Sequence, residues 1–211
     1  MNFPYRYITV EGNIGAGKTT LATKLAVDLK GKLILERFEE NPFLPGFYRD
    51  PEKFAFQLEL SFLADRYQQL KETTVKPDMF SNLVISDYFF PKCHIFAHVN
   101  LAGDEMNLFL RLFSIIDKHL PSPDLIIYLY HDLENLRNNI VKRGREYERT
   151  ISISYLSDLH KGYMAYFRSH PELTVLLVDV NRINFAEKEA DYRLMKELIA
   201  RPYLPGINRA G

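Results

Sequence analysis

Residues 12–19 read GNIGAGKT, and this stretch decides the fold. An apolar run typical of a strand, Tyr5–Val10, precedes it, and Leu21, Leu25 and Leu29 recur at helical spacing after it. A glycine-rich turn that only joins a strand to a helix is the alternative. In this setting, however, glycines let successive N–H groups point at phosphate oxygens, and the helix start adds partial positive charge. The stretch therefore predicts nucleoside triphosphate binding and leaves the acceptor open.

Each position of this loop has an expected role. The Lys18 ammonium can reach the β- and γ-phosphates, and the Thr19 hydroxyl can bind Mg²⁺. The predicted triphosphate-binding residues are Gly12, Asn13, Ile14, Gly15, Ala16, Gly17, Lys18, Thr19 and Thr20.

Composition narrows the class of protein. The chain has 211 residues, enough for one domain with a full core. Lys plus Arg and Asp plus Glu both total 27, so no overall field favours nucleic acid or an acidic membrane as a partner. The one cysteine, Cys93, fits a reducing compartment. The first ten residues lack the apolar stretch of a signal peptide, and no apolar run is long enough to span a bilayer. We therefore expect a cytoplasmic protein.

Strand-like and helix-like segments alternate along the chain. Few of the strand-like runs show polar alternation, which is typical of strands buried on both faces of a parallel sheet. The expected fold is α/β, with a five-stranded parallel sheet between two layers of helices and an extended surface tail at residues 201–211. The predicted strands are Tyr5–Val10, Lys32–Leu35, Leu83–Ser86, Leu125–Tyr130 and Thr174–Val178. The predicted helices are Thr19–Leu29, Glu52–Glu72, Met106–His119, Leu133–Lys142, Ser154–Phe167 and Glu187–Ala200. Met106–His119 is apolar over more than half its surface, so we expect it to be buried between neighbours.

Five further patches follow the loop in a fixed order. They are LERFEENPFLPGFY (35–48), FYRDPEKFAFQLELSFLADRYQQL (47–70), SDYFFPKCHIFAHVNL (86–101), NNIVKRGREYERT (138–150) and VDVNRINF (178–185). Together with the loop, this order resembles the deoxynucleoside kinase family, the bacterial deoxyadenosine and deoxyguanosine kinases in particular. The resemblance implies a single P-loop kinase domain over residues 1–211, with a lid at about 142–152. It also implies ATP and Mg²⁺ as cofactors, transfer to the 5′-hydroxyl of a deoxynucleoside, and a homodimer.

The resemblance also assigns roles on the acceptor side. Glu36 is implied as the general base, at the end of the second strand. Tyr48 is implied to contact the sugar 3′-hydroxyl. Glu59 stands where the family usually has a glutamine that pairs with the base, and Arg66 lies two helical turns later, so both can face one pocket. An ordinary exposed Glu–Arg pair is the alternative.

The third patch both matches the family and departs from it. Asp87 matches an acidic residue that helps to hold Mg²⁺ together with Thr19. Phe96 matches an aromatic residue that stacks on the base, and a plain core role is the alternative for it. Tyr88 replaces the family's arginine beside the transferring phosphoryl. Lys92, four residues later, could supply the lost charge. Cys93 is expected to be an inert buried thiol.

The lid patch carries two arginines and a carboxylate. By resemblance, Arg143 and Arg145 close over the triphosphate, and Glu148 reaches the sugar 3′-hydroxyl. A third lid arginine of the family is Asn139 here. A basic helix end is the alternative for the two arginines. Residues 178–185 are implied to surround the donor base, or form only a strand-to-helix turn.

The replacement at Glu59 predicts a base preference. A glutamine side chain both donates and accepts hydrogen bonds, whereas an ionised carboxylate only accepts them. Guanine offers two adjacent donors, so we expect a purine, and specifically a guanine, preference. Two other functions stay open: a thymidylate-type nucleoside monophosphate kinase, and a kinase-fold binding protein that has lost catalysis.

Overall fold

The computed structural model describes residues 4–75, 83–118 and 120–210, and its centre is a parallel sheet. Within these residues the sheet has six strands in the order β2-β3-β1-β4-β5-β6. The strands are β1 (Tyr7–Gly12), β2 (Lys32–Ile34), β3 (Val84–Ser86), β4 (Leu125–Tyr130), β5 (Thr174–Asp179) and β6 (Gly206–Ala210). Every neighbouring pair is parallel, so the carboxyl ends of all the strands meet at one edge.

Helices cover the sheet on both faces. Ile8 and Val10 of β1 pack in one core cluster with Leu21 and Leu25, while Ile126 and Tyr128 of β4 pack on the opposite face. The helices are α1 (Lys18–Leu29), α2 (Leu44–Arg49), α3 (Pro51–Val75), α4 (Lys92–Asn100), α5 (Gly103–Asp117), α6 (Leu133–Arg143), α7 (Ile153–Ser169) and α8 (Glu189–Ile199), and a short 3₁₀ helix spans Glu146–Thr150. The α/β architecture with helices on both faces of a parallel sheet is confirmed.

The sixth strand corrects the expected number of strands and the nature of the tail. Residues 201–211 were expected as an extended surface segment, but Gly206–Ala210 pairs in parallel with β5. The prolines and glycines near residue 205 hide this strand, because they are typical of a loop. The Tyr5 hydroxyl fixes the approach to β6: it donates to Arg201 O at 2.8 Å and accepts from Tyr203 N at 3.0 Å.

Two short helices were not predicted. The first is α2, which precedes the helix predicted at Glu52–Glu72; that helix is α3, and Pro51 begins it directly after Asp50. α4 starts directly after Pro91, which suits the beginning of a helix. Short helices such as these carry too few turns for apolar periodicity to show in the sequence.

The expectation that Met106–His119 is buried between neighbours is wrong for the residues described. The helix is α5, Gly103–Asp117, and His119 lies outside the described residues. Phe109 and Phe113 are buried against the α3–α4 cluster, whereas Ile115 is 63% exposed and Leu108 is 40% exposed. The helix therefore packs through one face, and Leu108 and Ile115 on its other side are exposed.

No helix in the described part of the chain is both long enough and apolar enough to cross a membrane.

We predict that Tyr5→Phe lowers the free energy of unfolding by about 1–2 kcal/mol, because two hydrogen bonds to the segment before β6 are lost. Urea unfolding followed by circular dichroism measures this. Leu204→Ala is the matched control: Leu204 lies in the same segment but is 79% exposed, so its change should stay within about 0.5 kcal/mol. Equal stability of Tyr5→Phe and the wild type would show that these bonds do not hold the segment.

Candidate active site

The phosphate loop has a backbone that only glycine adopts easily. Gly15 and Gly17 have φ of 81° and 88°. A Cβ atom at Gly15 would lie 2.9 Å from Leu136 O, and one at Gly17 would lie 3.0 Å from Phe185 Cζ. Substitution there would therefore strain the backbone and also displace neighbours. The loop consequently leaves its N–H groups at the start of α1, which is the arrangement that binds phosphate.

Lys18 sits inside this loop. Its ammonium donates to Gly12 O at 3.0 Å and to Asn13 O at 2.9 Å. Burial, together with repulsion from Lys92, lowers the pKa of Lys18 to about 8 against the attraction of nearby carboxylates. The lysine is therefore held at the loop by carbonyl groups, where a triphosphate would give it stronger acceptors.

Thr19 and Asp87 meet at the carboxyl ends of β1 and β3. The Thr19 hydroxyl donates to Asp87 Oδ2 at 2.5 Å, and Glu36 N donates to Asp87 Oδ1 at 2.8 Å. The two residues predicted to hold a metal ion are thus in direct contact. Asp87 also fixes the backbone of the residue predicted as the general base.

Glu36 forms a buried ion cluster with one residue of α3 and one of α4. Arg66 donates from Nε to Glu36 Oε1 at 2.8 Å, and also from Nη2, while Lys92 Nζ lies 2.6 Å from Oε2. Burial alone would raise the pKa of the Glu36 carboxyl, but the attraction of Arg66 and Lys92 outweighs it and holds the pKa at about 2. Glu36 is therefore ionised throughout the physiological range.

A cavity of about 950 Å³ opens over the phosphate loop. Glu36 and Asp87 form one side of it, and the lid arginines Arg143 and Arg145 form another. Residues 180–187 also line it, which agrees with their expected place around the donor. The cavity therefore joins the phosphate loop, the predicted base and the lid in one space of nucleotide size.

The lid is held by its own carboxylate. Arg143 donates to Glu148 Oε2 from both Nε and Nη2, and Arg145 Nη1 lies 3.4 Å from Glu148 Oε1. Arg145 also pairs with Glu39 at 2.7 Å and lies over the Phe38 ring at 4.3 Å. Arg145 is thus turned toward the segment after β2, whereas Arg143 is paired within the lid.

Aromatic stacking and a hydrogen bond connect the lid to α2. The rings of Tyr48 and Tyr147 stack with centroids 5.9 Å apart, and the Thr150 hydroxyl donates to Tyr48 O at 3.2 Å. Burial and the neighbouring Glu148 raise the pKa of Tyr48, so its hydroxyl stays protonated. The two residues expected at the sugar 3′-hydroxyl, Tyr48 and Glu148, are therefore neighbours.

Glu59 lies inside the protein, and only 1% of it is exposed. Oε1 accepts from Asn100 Nδ2 at 2.7 Å, and Oε2 is among the buried side-chain atoms of the described residues that lack a partner. Burial raises the pKa of Glu59 to about 7, although Asn100, Arg66 and Lys92 pull it down. The exposed Glu–Arg alternative is wrong, since Arg66 is 3% exposed; it pairs with Glu36 rather than Glu59.

The structure also gives the surroundings of three residues of the third patch. Cys93 is fully buried and accepts from Arg66 Nη1 at 2.9 Å, and burial raises its pKa to about 11, which confirms an inert thiol. Tyr88 is fully buried and donates from its hydroxyl to Gln69 at 2.8 Å. Phe96 is half-buried; its ring lies 5.5 Å from Lys92 Nζ and packs edge-on against Tyr163. These contacts give Phe96 a packing role together with a place beside the ion cluster.

The residue roles assigned from the sequence left out Glu11 and Asn100. Glu11 Oε1 accepts from Phe89 N at 3.0 Å, and Oε2 accepts from the Tyr163 hydroxyl at 2.8 Å, so it ties β1 to the segment after β3 and to α7. A carboxylate in an otherwise apolar strand was the signal for it, since unpaired carboxylates are rarely buried. Asn100 carried no signal, because it reaches Glu59 only through the packing of α4 on α3.

Comparison with known proteins shows the family to which the chain is related. The sequence model of the family described as Deoxynucleoside kinase matches residues 8–201. The chain is 38% identical to a deoxyguanosine kinase of Bacillus subtilis, over 92% of this chain and 97% of the relative. It is 34% identical to the deoxyadenosine/deoxycytidine kinase of the same organism, over 84% of this chain and 85% of the relative. A solved deoxyadenosine kinase from M. mycoides with bound dATP shares the fold, with a TM-score of 0.79 at 24% identity, and the match covers 93% of this chain and 100% of that one. The chain therefore belongs to the deoxynucleoside kinase family.

Proposed function

We propose that this deoxynucleoside kinase transfers the γ-phosphoryl group of ATP to the 5′-hydroxyl of purine deoxynucleosides, with deoxyguanosine preferred. The observation that carries the base preference is the buried Glu59, whose Oε2 has no partner among the described residues. An unpaired buried acceptor is costly, so a ligand that donates to it gains affinity. Similarity to the deoxyguanosine kinases of Bacillus subtilis and Lactobacillus acidophilus supports the same preference.

The ionised Glu59 suits a guanine edge. Guanine presents a ring N–H and an amino group side by side, and a carboxylate accepts from both. A protonated Glu59 would instead donate and accept, as a glutamine does, which suits adenine. Because its pKa lies at about 7, the charge state of Glu59 should influence the choice between the two purines.

Glu36 is the proposed general base for the 5′-hydroxyl. In the proposed transfer the hydroxyl proton passes to the Glu36 carboxylate, the new O–P bond forms, and the bond from the γ-phosphorus to the β–γ bridging oxygen breaks with its electron pair passing to ADP. The phosphate loop and Lys18 hold the triphosphate in place, while Arg143 and Arg145 face the same cavity from the lid. Catalysis then consists mainly of positioning and electrostatic stabilisation.

Thr19 and Asp87 are the residues that would hold Mg²⁺. The pair fits this ion, because Mg²⁺ is usually held by one or two oxygen ligands of the protein together with substrate phosphates and water. No cluster of three or more His, Cys, Asp or Glu side chains suited to a metal occurs in the described ranges. Bound there, Mg²⁺ would neutralise charge on the phosphates.

We also propose a homodimer in a cytoplasmic, reducing setting. The apolar residues that α5 leaves exposed, Leu108 and Ile115, support association through helices. The buried, unreactive Cys93 fits a protein without disulfides. The alternatives of a thymidylate-type kinase and of a protein without catalysis gain no support, since the relatives are named as deoxynucleoside kinases and the predicted catalytic groups are in contact with one another.

We predict that Glu36→Gln lowers kcat for deoxyguanosine by about 10²–10⁴-fold, since general-base catalysis contributes that much. Steady-state kinetics with ATP and Mg²⁺ measure it, and thermal unfolding of the same sample checks that the variant folds. Glu52→Gln, on the exposed first turn of α3, is the matched control and should keep wild-type turnover. Undiminished turnover in folded Glu36→Gln would remove Glu36 as the base.

We predict that Glu59→Gln lowers the ratio of kcat/KM for deoxyguanosine to that for deoxyadenosine by about 10–100-fold, because a hydrogen bond to a charged group contributes about 1.5–3 kcal/mol. In the wild type this ratio should rise from pH 6 to pH 8, as Glu59 loses its proton around pH 7. In Glu59→Gln the ratio should be independent of pH. A wild-type ratio that is flat with pH and unaffected by the substitution would contradict the role of Glu59.

A further inference from the structure

Lys92 is a buried cation at the reacting end of the site. It is the first residue of α4, it is 5% exposed, and its Nζ lies 2.6 Å from Glu36 Oε2. The opposite carboxylate oxygen, Oε1, is the one that Arg66 binds. Lys92 therefore touches the oxygen that Arg66 leaves available for the acceptor's proton.

Glu36 is the carboxylate that contacts both Arg66 and Lys92, whereas the carboxyl groups of Glu11 and Glu59 act on Lys92 at longer range. One carboxylate faces two permanent cations, Arg66 and Lys92, and Arg66 uses Nε and Nη2 on it. Arg66 also donates from Nη1 to Cys93, so its guanidinium is fixed on this side. A buried ammonium that shares its carboxylate with such a partner is costly unless another negative group approaches it. The transferring phosphoryl group is the anion that this reaction brings.

The position of Lys92 relative to the phosphate loop fits this role. Its ammonium binds Glu36, which lines the cavity over the loop, and its charge also acts on Lys18 in the loop and on Glu11 in β1. The neighbouring Tyr88 offers no charge there, because its hydroxyl is turned to Gln69. The Phe96 ring lies under the Lys92 ammonium at 5.5 Å, which keeps the charge on this side without neutralising it.

We propose that Lys92 is a catalytic residue: during transfer its ammonium contacts the 5′-oxygen and the γ-phosphoryl group, and stabilises the negative charge that develops between them. This proposal rests on the proposed function of the site. The bonds that form and break are those given above, and Lys92 keeps its proton throughout. The same ammonium, by binding Oε2, holds the Glu36 carboxylate toward the acceptor.

The test is the kinetics of Lys92→Met and Lys92→Arg with ATP, Mg²⁺ and deoxyguanosine. Lys92→Met should lower kcat by about 10²–10³-fold, which is the loss typical when one donor to a developing oxyanion is removed. Its KM for ATP should stay within a few-fold of the wild-type value. Lys92→Arg, which keeps the charge, should recover most of the turnover. Lys53→Met, an exposed lysine of α3, is the matched control and should leave kcat unchanged.

Two further measurements keep the outcome decisive. If Lys92→Met does not fold, Lys92→Gln retains a donor to Glu36 without the charge and should show the same loss of kcat. In Lys92→Ala, millimolar ethylammonium should raise kcat, which a purely structural lysine would not show. A folded Lys92→Met or Lys92→Gln with wild-type kcat would overturn the proposal. If instead the wild type transfers no phosphate to any deoxynucleoside, the proposed function itself has failed.

Discussion

The active site is organised around one buried carboxylate, Glu36, and the two cations that bind it. Arg66 comes from α3 and Lys92 from α4, so this single ion cluster holds both helices against the carboxyl ends of β2 and β3. Removing one partner of a buried ion pair typically costs about 3–5 kcal/mol, because a charge is then left uncompensated. The cluster therefore stabilises the fold and also lies at the centre of the active site. Asp87 extends it to Thr19 and so to the phosphate loop.

The donor side of the site could be predicted from the sequence because its signals are local. The phosphate loop lies within one strand–loop–helix unit that contains glycines 12, 15 and 17 and the Lys18–Thr19 pair. The spacing of these residues along the chain therefore determines their arrangement in space. The parallel strands likewise follow from apolar runs without alternation. Glu36 and Asp87 could be placed at one edge of the sheet for the same reason, since each directly follows a strand.

The remaining features depend on contacts between distant segments. Asn100 meets Glu59, and Lys92 meets Glu36, only through the packing of α4 against α3 and the sheet. The resemblance implied that Glu59 faces the substrate, but only the structure shows that its Oε2 lacks a partner among the described residues. β6 was missed because the prolines and glycine around residue 205 are typical of a loop, and the hydrogen bonds that fix the segment before it come from Tyr5, almost two hundred residues away along the chain. Apolar periodicity could not have shown that α5 exposes much of its apolar surface, since periodicity gives no information about which neighbours are present.

The place of β6 also bears on the order in which the protein can be completed during synthesis. In the sheet β5 lies between β4 and β6, so its outer edge stays unpaired until residues 206–210 have left the ribosome. Until then the buried residues of β5 lie beside an open row of backbone donors and acceptors, which is a surface prone to aggregation. Tyr5 is synthesised almost two hundred residues before the segment beginning at Arg201, which its hydroxyl binds. The nascent chain thus carries this exposed sheet edge from the synthesis of β5 until β6 follows it.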